Sequence, residues 1–154
     1  MTSSIPHFAR YAAAFEKAYA SDDWSLVAPF FTEDAVYDAQ LPPPLGGRFA
    51  GRDAILAYFR RVLDGFDRRF ASREVSLVEG PREESGAVWI RGRARYTAPG
   101  VPDLEFELEE TAWFEDGRIR RLEDRYDDAT LRALEAYLRE HGAALGLGLD
   151  GRTG

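Results

Sequence analysis

The segment Asp103-Leu104-Glu105-Phe106-Glu107-Leu108-Glu109-Glu110-Thr111-Ala112-Trp113-Phe114 alternates with a period of two. Only an extended strand turns such a period into two distinct faces. Leu104, Phe106, Leu108, Ala112 and Phe114 share one face, while Glu105, Glu107 and Glu109 share the other. The strand therefore belongs in a sheet with one covered side and one wet side. Glu110 breaks the pattern, because it is an acid on the apolar face. A carboxyl there needs a partner, a raised pKa or a wet cavity beside it.

The flanking segments extend this sheet. In Ala87–Thr97, Val88, Ile90, Gly92, Ala94 and Tyr96 alternate with Trp89, Arg91, Arg93 and Arg95. Pro99-Gly100-Val101-Pro102 makes a turn, and pairing Arg95 with Glu105 also sets Arg93 against Glu107 and Arg91 against Glu109. The outer face then carries a ladder of opposite charges. Asp116-Gly117 is a two-residue hairpin signal, so Arg118–Asp127 reads as the last strand. Phe70–Glu79 reads as a strand with Val75 and Leu77 on one side, followed by a charged turn over Gly80–Gly86.

Helical spacing dominates the first half. Ser4 and Pro6 suit a helix start, and Phe8, Tyr11, Ala12, Phe15, Ala18 and Tyr19 recur on one face. Asp22-Asp23 ends this helix and caps a shorter one with Trp24, Val27, Phe30 and Phe31 inward, which Pro29 cuts short. Ala35–Ala39 is a short strand, and Gln40–Gly47, rich in Pro and Gly, is a loop at a rim. A third helix starts at Gly51-Arg52-Asp53, with Ile55, Tyr58, Phe59, Val62, Leu63 and Phe66 in its stripe. Asp127 or Asp128 caps a last helix containing Leu131, Leu134, Tyr137 and Leu138, stopped by Gly142. Helices first and antiparallel strands later make an α+β domain over residues 1–142, with a flexible Gly-rich tail over 143–154.

The balance of charge narrows the partners. A net charge of -7 and a pI near 4.9 leave no basic footprint for nucleic acid or an anionic membrane. With no cysteine, thiol chemistry is excluded. Neither a secretory signal nor an apolar stretch of membrane-spanning length is evident, so the expectation is a soluble cytoplasmic protein. His7 and His141 lie near opposite ends, which fits no metal and no histidine-centred triad. The string Gly146-Leu147-Gly148-Leu149-Asp150-Gly151 resembles a dinucleotide fingerprint but follows no strand and opens no helix. No cofactor is expected.

Three stretches in this order, Phe30-Phe31-Thr32-Glu33-Asp34-Ala35-Val36-Tyr37, Phe49-Ala50-Gly51-Arg52-Asp53-Ala54-Ile55 and Phe114-Glu115-Asp116-Gly117-Arg118-Ile119, continuing to Asp124, resemble the nuclear transport factor 2-like superfamily. The likeness is to its SnoaL-like polyketide cyclase branch. It implies a conical half-barrel, a curved mixed or antiparallel sheet wrapped round three N-terminal helices, with a C-terminal helix and an apolar pocket. It also implies a homodimer through the sheet, where Trp89 and Trp113 interrupt the charges. The steroid isomerases of the superfamily place a general-base aspartate where Ala39 stands, a tyrosine at Phe15 and a second carboxylate at Glu110. Asp38, one residue off, should face the other way. The limonene-type epoxide hydrolases place Arg and Asp at Gly92 and Ala94, Tyr and Asn at Tyr37 and Ala39, and Asp at Asp124. Both constellations are broken, which leaves the cyclase branch least contradicted.

The expected site is therefore Glu110 as general acid/base, helped by Asp124 and Tyr37, with Tyr11, Phe15, Tyr58, Phe59, Leu108, Leu122 and Tyr126 against the substrate. Asp124 can face inward with Leu122 and Tyr126 only if a β-bulge follows Ile119. The implied function is a cofactor-independent cyclase, isomerase or dehydratase acting on a mostly apolar, carbonyl-bearing small molecule. The alternative is a non-catalytic homodimeric small-molecule binding protein. In a purely structural role, Glu110 would form an internal ion pair with Arg121 or Arg61.

Overall fold

A computed structural model describes residues 3–43 and 45–147. Six strands form one curved sheet in the order β2-β1-β6-β5-β4-β3. They are β1 (Phe31–Ala39), β2 (Gly47–Ala50), β3 (Ser72–Glu84), β4 (Ala87–Thr97), β5 (Leu104–Glu115) and β6 (Arg118–Arg125). The pair β1 and β6 is parallel and the other pairs are antiparallel, so the sheet is mixed. Helices α1 (Ile5–Ser21), α2 (Arg52–Gly65) and α3 (Asp128–His141) complete the α+β fold. Among the described residues, no helix is long and apolar enough to cross a membrane.

Several elements depart from the sequence reading. The second helix is two single 3₁₀ turns, Trp24–Leu26 and Ala28–Phe30, because Pro29 denies a longer run its backbone donor. Trp24, Val27 and Phe31 are buried as expected, whereas Phe30 is half-buried. β1 starts four residues early, at Phe31, where it meets Ile119 of β6. β2 was hidden in the end of the Pro/Gly loop. β3 continues to Glu84, and the turn is confined to Ser85-Gly86, both at positive φ. The start of α1 is capped by Ser3, whose Oγ accepts from Ile5 N–H at 3.2 Å, while the Ser4 side chain makes no cap bond. At the start of the Gly-rich tail, Ala143–Leu145 forms a 3₁₀ turn, with Leu145 and Leu147 buried. Residues 148–154, and with them most of the fingerprint-like string, lie outside the described residues.

Two apolar clusters hold the layers together. One gathers Phe8, Tyr11, Phe31, Tyr37, Ile55, Phe59, Ile119 and Leu122 between α1, α2 and the β1–β6 side of the sheet. The other gathers Phe66, Phe70, Tyr96, Leu104, Leu134, Leu145 and Leu147 beneath α3. Each large side chain removed from water contributes about 1.5–3 kcal/mol. In the first cluster the ring edges meet ring faces, as for Phe15 and Phe59 at 5.2 Å and 88°.

The wet face of the sheet has the expected register, with Arg95, Arg93 and Arg91 opposite Glu105, Glu107 and Glu109. The side chains are less regular. Arg93 bonds Glu107 at 2.8 Å, but Arg95 turns to Asp103 at 2.6 Å and Arg91 to Glu79 at 2.8 Å. Glu109 accepts instead from the Trp89 indole N–H at 2.9 Å. Diagonal neighbours on a twisted sheet lie within reach of long side chains.

One irregularity positions the interior. Phe114 pairs with Ile119, yet Trp113 pairs with Arg121, so Arg120 is an extra residue in β6. This bulge shifts the alternation, sending Leu122 and Asp124 to the covered face opposite Ala112 and Glu110. Deleting Arg120 removes the shift and drives Asp124 toward the charged face. The expected outcome is loss of cooperative thermal unfolding, followed by circular dichroism.

Candidate active site

Between the two clusters lies a hollow of about 270 Å³. Tyr11, Phe59 and Leu122 line it from one cluster, and Phe66, Tyr96 and Leu134 from the other. Every residue anticipated for the site reaches this wall: Tyr11, Phe15, Tyr37, Tyr58, Phe59, Leu108, Glu110, Leu122, Asp124 and Tyr126. Leu41 and Leu45 of the β1–β2 loop also line it. That loop closes tightly on itself, because a Cβ on Gly46 would stand 2.2 Å from the Leu41 carbonyl oxygen.

The backbone brings the acids together. Glu110 on β5 and Asp124 on β6 are register partners, and Ala39 and Tyr37 of β1 pair with Asp124 and Leu122. The Tyr37 hydroxyl donates to Asp124 Oδ2. The Glu110 and Asp124 carboxyls are neighbours across the paired strands, and burial, followed by the adjacent Asp124 carboxylate, pushes Glu110 well above the usual carboxylate range. Burial also raises Asp124, but its neighbours Glu110 and Tyr37 oppose the rise. Asp124 Oδ1 is buried with no hydrogen-bond partner among the described residues, a need that a proton on the neighbouring Glu110 would meet. The donor from Tyr37 favours the negative charge on Asp124, which leaves the proton of the pair with Glu110. The remaining accessible surface of Glu110 faces the hollow.

The ion pair of Glu110 with Arg121 or Arg61 is not formed. Arg121 binds Asp38 at 3.2 Å and Glu123 at 3.0 Å on the outer face, while Arg61 lies over Phe49 and Tyr58. Among the described residues, no cation pairs with Glu110. Asp38 faces away from the hollow, and Ala39, buried beside Asp124, offers no acid in its place.

The tyrosines divide into two sets. Tyr37 is committed to Asp124, and the Tyr58 hydroxyl donates to the Leu45 carbonyl. Tyr58 is therefore a latch on the loop and not a free rim donor. Tyr11 and Tyr126 have no hydrogen-bond partner for their hydroxyls among the described residues, yet both line the hollow near the acids. Burial and the neighbouring carboxylates hold both phenols above their ordinary pKa, so they remain donors.

Sequence reasoning missed the opposite wall. Asp67, Arg73 and Tyr96 also border the hollow. Asp67 is 7% exposed and accepts from the Tyr96 hydroxyl at 2.8 Å. In the sequence Asp67-Arg68-Arg69 looks solvated. The one usable signal was Tyr96 on the inward phase of β4. Among the described residues, no group of three or more His, Cys, Asp or Glu side chains could hold a metal ion.

The family model for SnoaL-like domains matches residues 10–122. The chain belongs to the SnoaL-like domain family. Among solved structures, it is similar to a nuclear transport factor 2-like protein of unknown function from Burkholderia pseudomallei. That match has 21% identity and a TM-score of 0.66, covering 89% of this chain and 98% of the other. TerC, co-crystallised with polyporic acid, shares 16% identity at TM-score 0.64, covering 87% and 98%. A candidate polyketide cyclase from Sinorhizobium meliloti shares 23% identity at TM-score 0.56, covering 75% and 93%. At these identities the structures share the fold. No curated protein matches the sequence.

Two substitutions test the geometry. Glu110 is raised above its ordinary 4.5 in the folded chain, so the folded state holds the proton more firmly than the unfolded one. That contribution is full below the unfolded value and is lost as pH rises through the folded one. Glu110→Gln removes it, so the Tm of wild type should fall relative to the variant as pH climbs from about 4.5. A Cβ on Gly92 meets no atom closer than Ser76 O at 3.5 Å, and Gly92 lines the hollow. Gly92→Val should keep the Tm while excluding an environment-sensitive apolar dye, read by fluorescence titration.

Proposed function

We propose that this chain is a cofactor-independent acid/base enzyme of the cyclase, isomerase or dehydratase type, located in the cytoplasm. Its substrate would be a mostly apolar, carbonyl-bearing small molecule held in the hollow. The observation that carries this reading is a pair of adjacent inward acids with no cationic partner among the described residues, set in an aromatic wall. Similarity of fold to a candidate polyketide cyclase and to a protein crystallised with polyporic acid supports the substrate class.

The chemistry follows from the division of charge. Asp124, the anionic member, takes a proton from the carbon beside the carbonyl. The electron pair of that C–H bond moves to make an enolate, whose oxygen accepts from Tyr11 or Tyr126. Return of a proton to a different carbon gives isomerisation, and attack of the enolate carbon on a second carbonyl gives cyclisation. Glu110 holds the one proton of the resting pair and keeps Asp124 in position. This reverses the roles read from the sequence, where Glu110 was the acid/base and Asp124 its helper. Activity needs one proton on the pair, so kcat should be bell-shaped in pH, with limits that belong to the pair jointly.

The test uses α-tetralone as a carbonyl probe in deuterium oxide. Wild type should speed deuterium uptake beside the carbonyl, seen by nuclear magnetic resonance. Asp124→Asn should return uptake to the buffer rate, and Glu110→Gln should slow it by about 10²–10⁴-fold. A second reading, a non-catalytic binding protein, is favoured by Ala39, which is buried and apolar where steroid isomerases carry their base. It requires ligand binding with no enzyme-dependent uptake.

We also propose a homodimer through the sheet. A two-fold axis between β4 and β5 sets the Arg91, Arg93, Arg95 row of one copy over the Glu105, Glu107, Glu109 row of the other. Trp89 and Trp113 add apolar area at one end. Arg93→Glu should shift the mass seen by light scattering from dimer to monomer. A wild type that is monomeric at high concentration would remove this proposal.

A further inference from the structure

The hollow has a second polar end. Asp67, in the 3₁₀ turn Asp67–Arg69 after α2, is buried against Tyr96 of β4 and Arg73 of β3. Arg73 Nε lies 3.2 Å from Asp67 Oδ2, its Nη1 lies 2.9 Å from Glu16 Oε1, and its guanidinium stacks on Tyr19 at 4.6 Å. Glu16, Asp67, Arg73 and Tyr96 all border the same hollow as the acid pair. Along β5 the backbone distance from Glu110 to Leu104, the partner of Tyr96, is about 20 Å, and inward side chains shorten the gap.

This cluster is not closed on itself. Tyr96 and Arg73 both address Oδ2 of Asp67, and its own backbone N–H is a further donor, which leaves Oδ1 with no side-chain partner among the described residues and with lone-pair capacity to spare. Arg73 Nε is buried and makes no well-directed hydrogen bond, although its side chain is only 10% exposed. A buried ionic group that served stability alone would be neutral or better as a packed apolar residue. Tyr58 stands between the ends: burial raises its phenol, and Asp124 at one end and Asp67 at the other add to the rise.

We infer that Asp67, positioned by Tyr96 and Arg73, is a specificity subsite that accepts a hydrogen bond from a hydroxyl at the far end of the substrate. The substrate class narrows to two-ended molecules, with a reacting carbonyl at Glu110–Asp124 and a hydroxyl donor remote from it across an aromatic or alicyclic frame. The orientation rests on the acid pair holding the reacting end. Asp67 reads the donor because a carboxylate is acceptor-only. An ether oxygen in the same place leaves that acceptor unpaired.

The experiment compares three ketones by titration calorimetry: α-tetralone, its 6-hydroxy derivative and its 6-methoxy derivative. On wild type, the hydroxy ketone should bind about tenfold more tightly than the parent, and the methoxy ketone no better than the parent. Asp67→Asn should bring that ratio close to one, and Tyr96→Phe, the gentler change, should reduce it. Binding of α-tetralone itself reports that each variant keeps the hollow. Equal affinities on wild type, including no measurable binding of any ketone, or a preference that survives both substitutions, overturn the subsite. A preserved hydroxyl preference without deuterium uptake would instead sink the catalytic reading and leave the subsite standing.

Discussion

The side-by-side placement of the Glu110 and Asp124 carboxyls is the constraint to which the rest of the interior is fitted. Two buried acids side by side are tolerable only when they share one negative charge, since a second has nothing to balance it. Tyr37 contributes a donor to the charged member, and the desolvated aromatic wall keeps the proton on the other. Geometry and protonation are thus one property here. Move either strand by a residue, and the pair becomes two isolated buried acids.

That dependence explains the bulge. A strict hairpin at Asp116-Gly117 would put Asp124 among the arginines and glutamates of the outer face. Arg120 absorbs one residue of β6 and restores the inward phase just where the acid is needed. The parallel pairing of β1 with β6 then brings Tyr37 alongside. The bulge forms part of the site even though Arg120 itself is exposed.

What the sequence disclosed follows the same physics. Period-two patterning exposed β4 and β5, their register and the inward Glu110, because each residue there is labelled by its neighbours. A single inserted residue leaves no such label, so Asp124 was assignable only conditionally. Thr32-Glu33-Asp34 hid the first half of β1, since a strand segment with polar outward residues resembles a loop. β2 is too short to show a period. Asp67 was invisible for another reason: its burial is set by a 3₁₀ turn and by β3 and β4 closing over it, not by adjacent residues. Leu145 and Leu147 gave no signal, because the frequent glycines around them mask two apolar anchors.

The hollow lies at a seam between two separately packed clusters, and a few of its wall residues owe nothing to either. Val75, Gly92 and Leu108 border the space without joining the packing on either side. Changes there reshape the guest chamber while both halves keep their mutual fit. Such positions let one scaffold drift from guest to guest over generations, with the acids and the frame held constant.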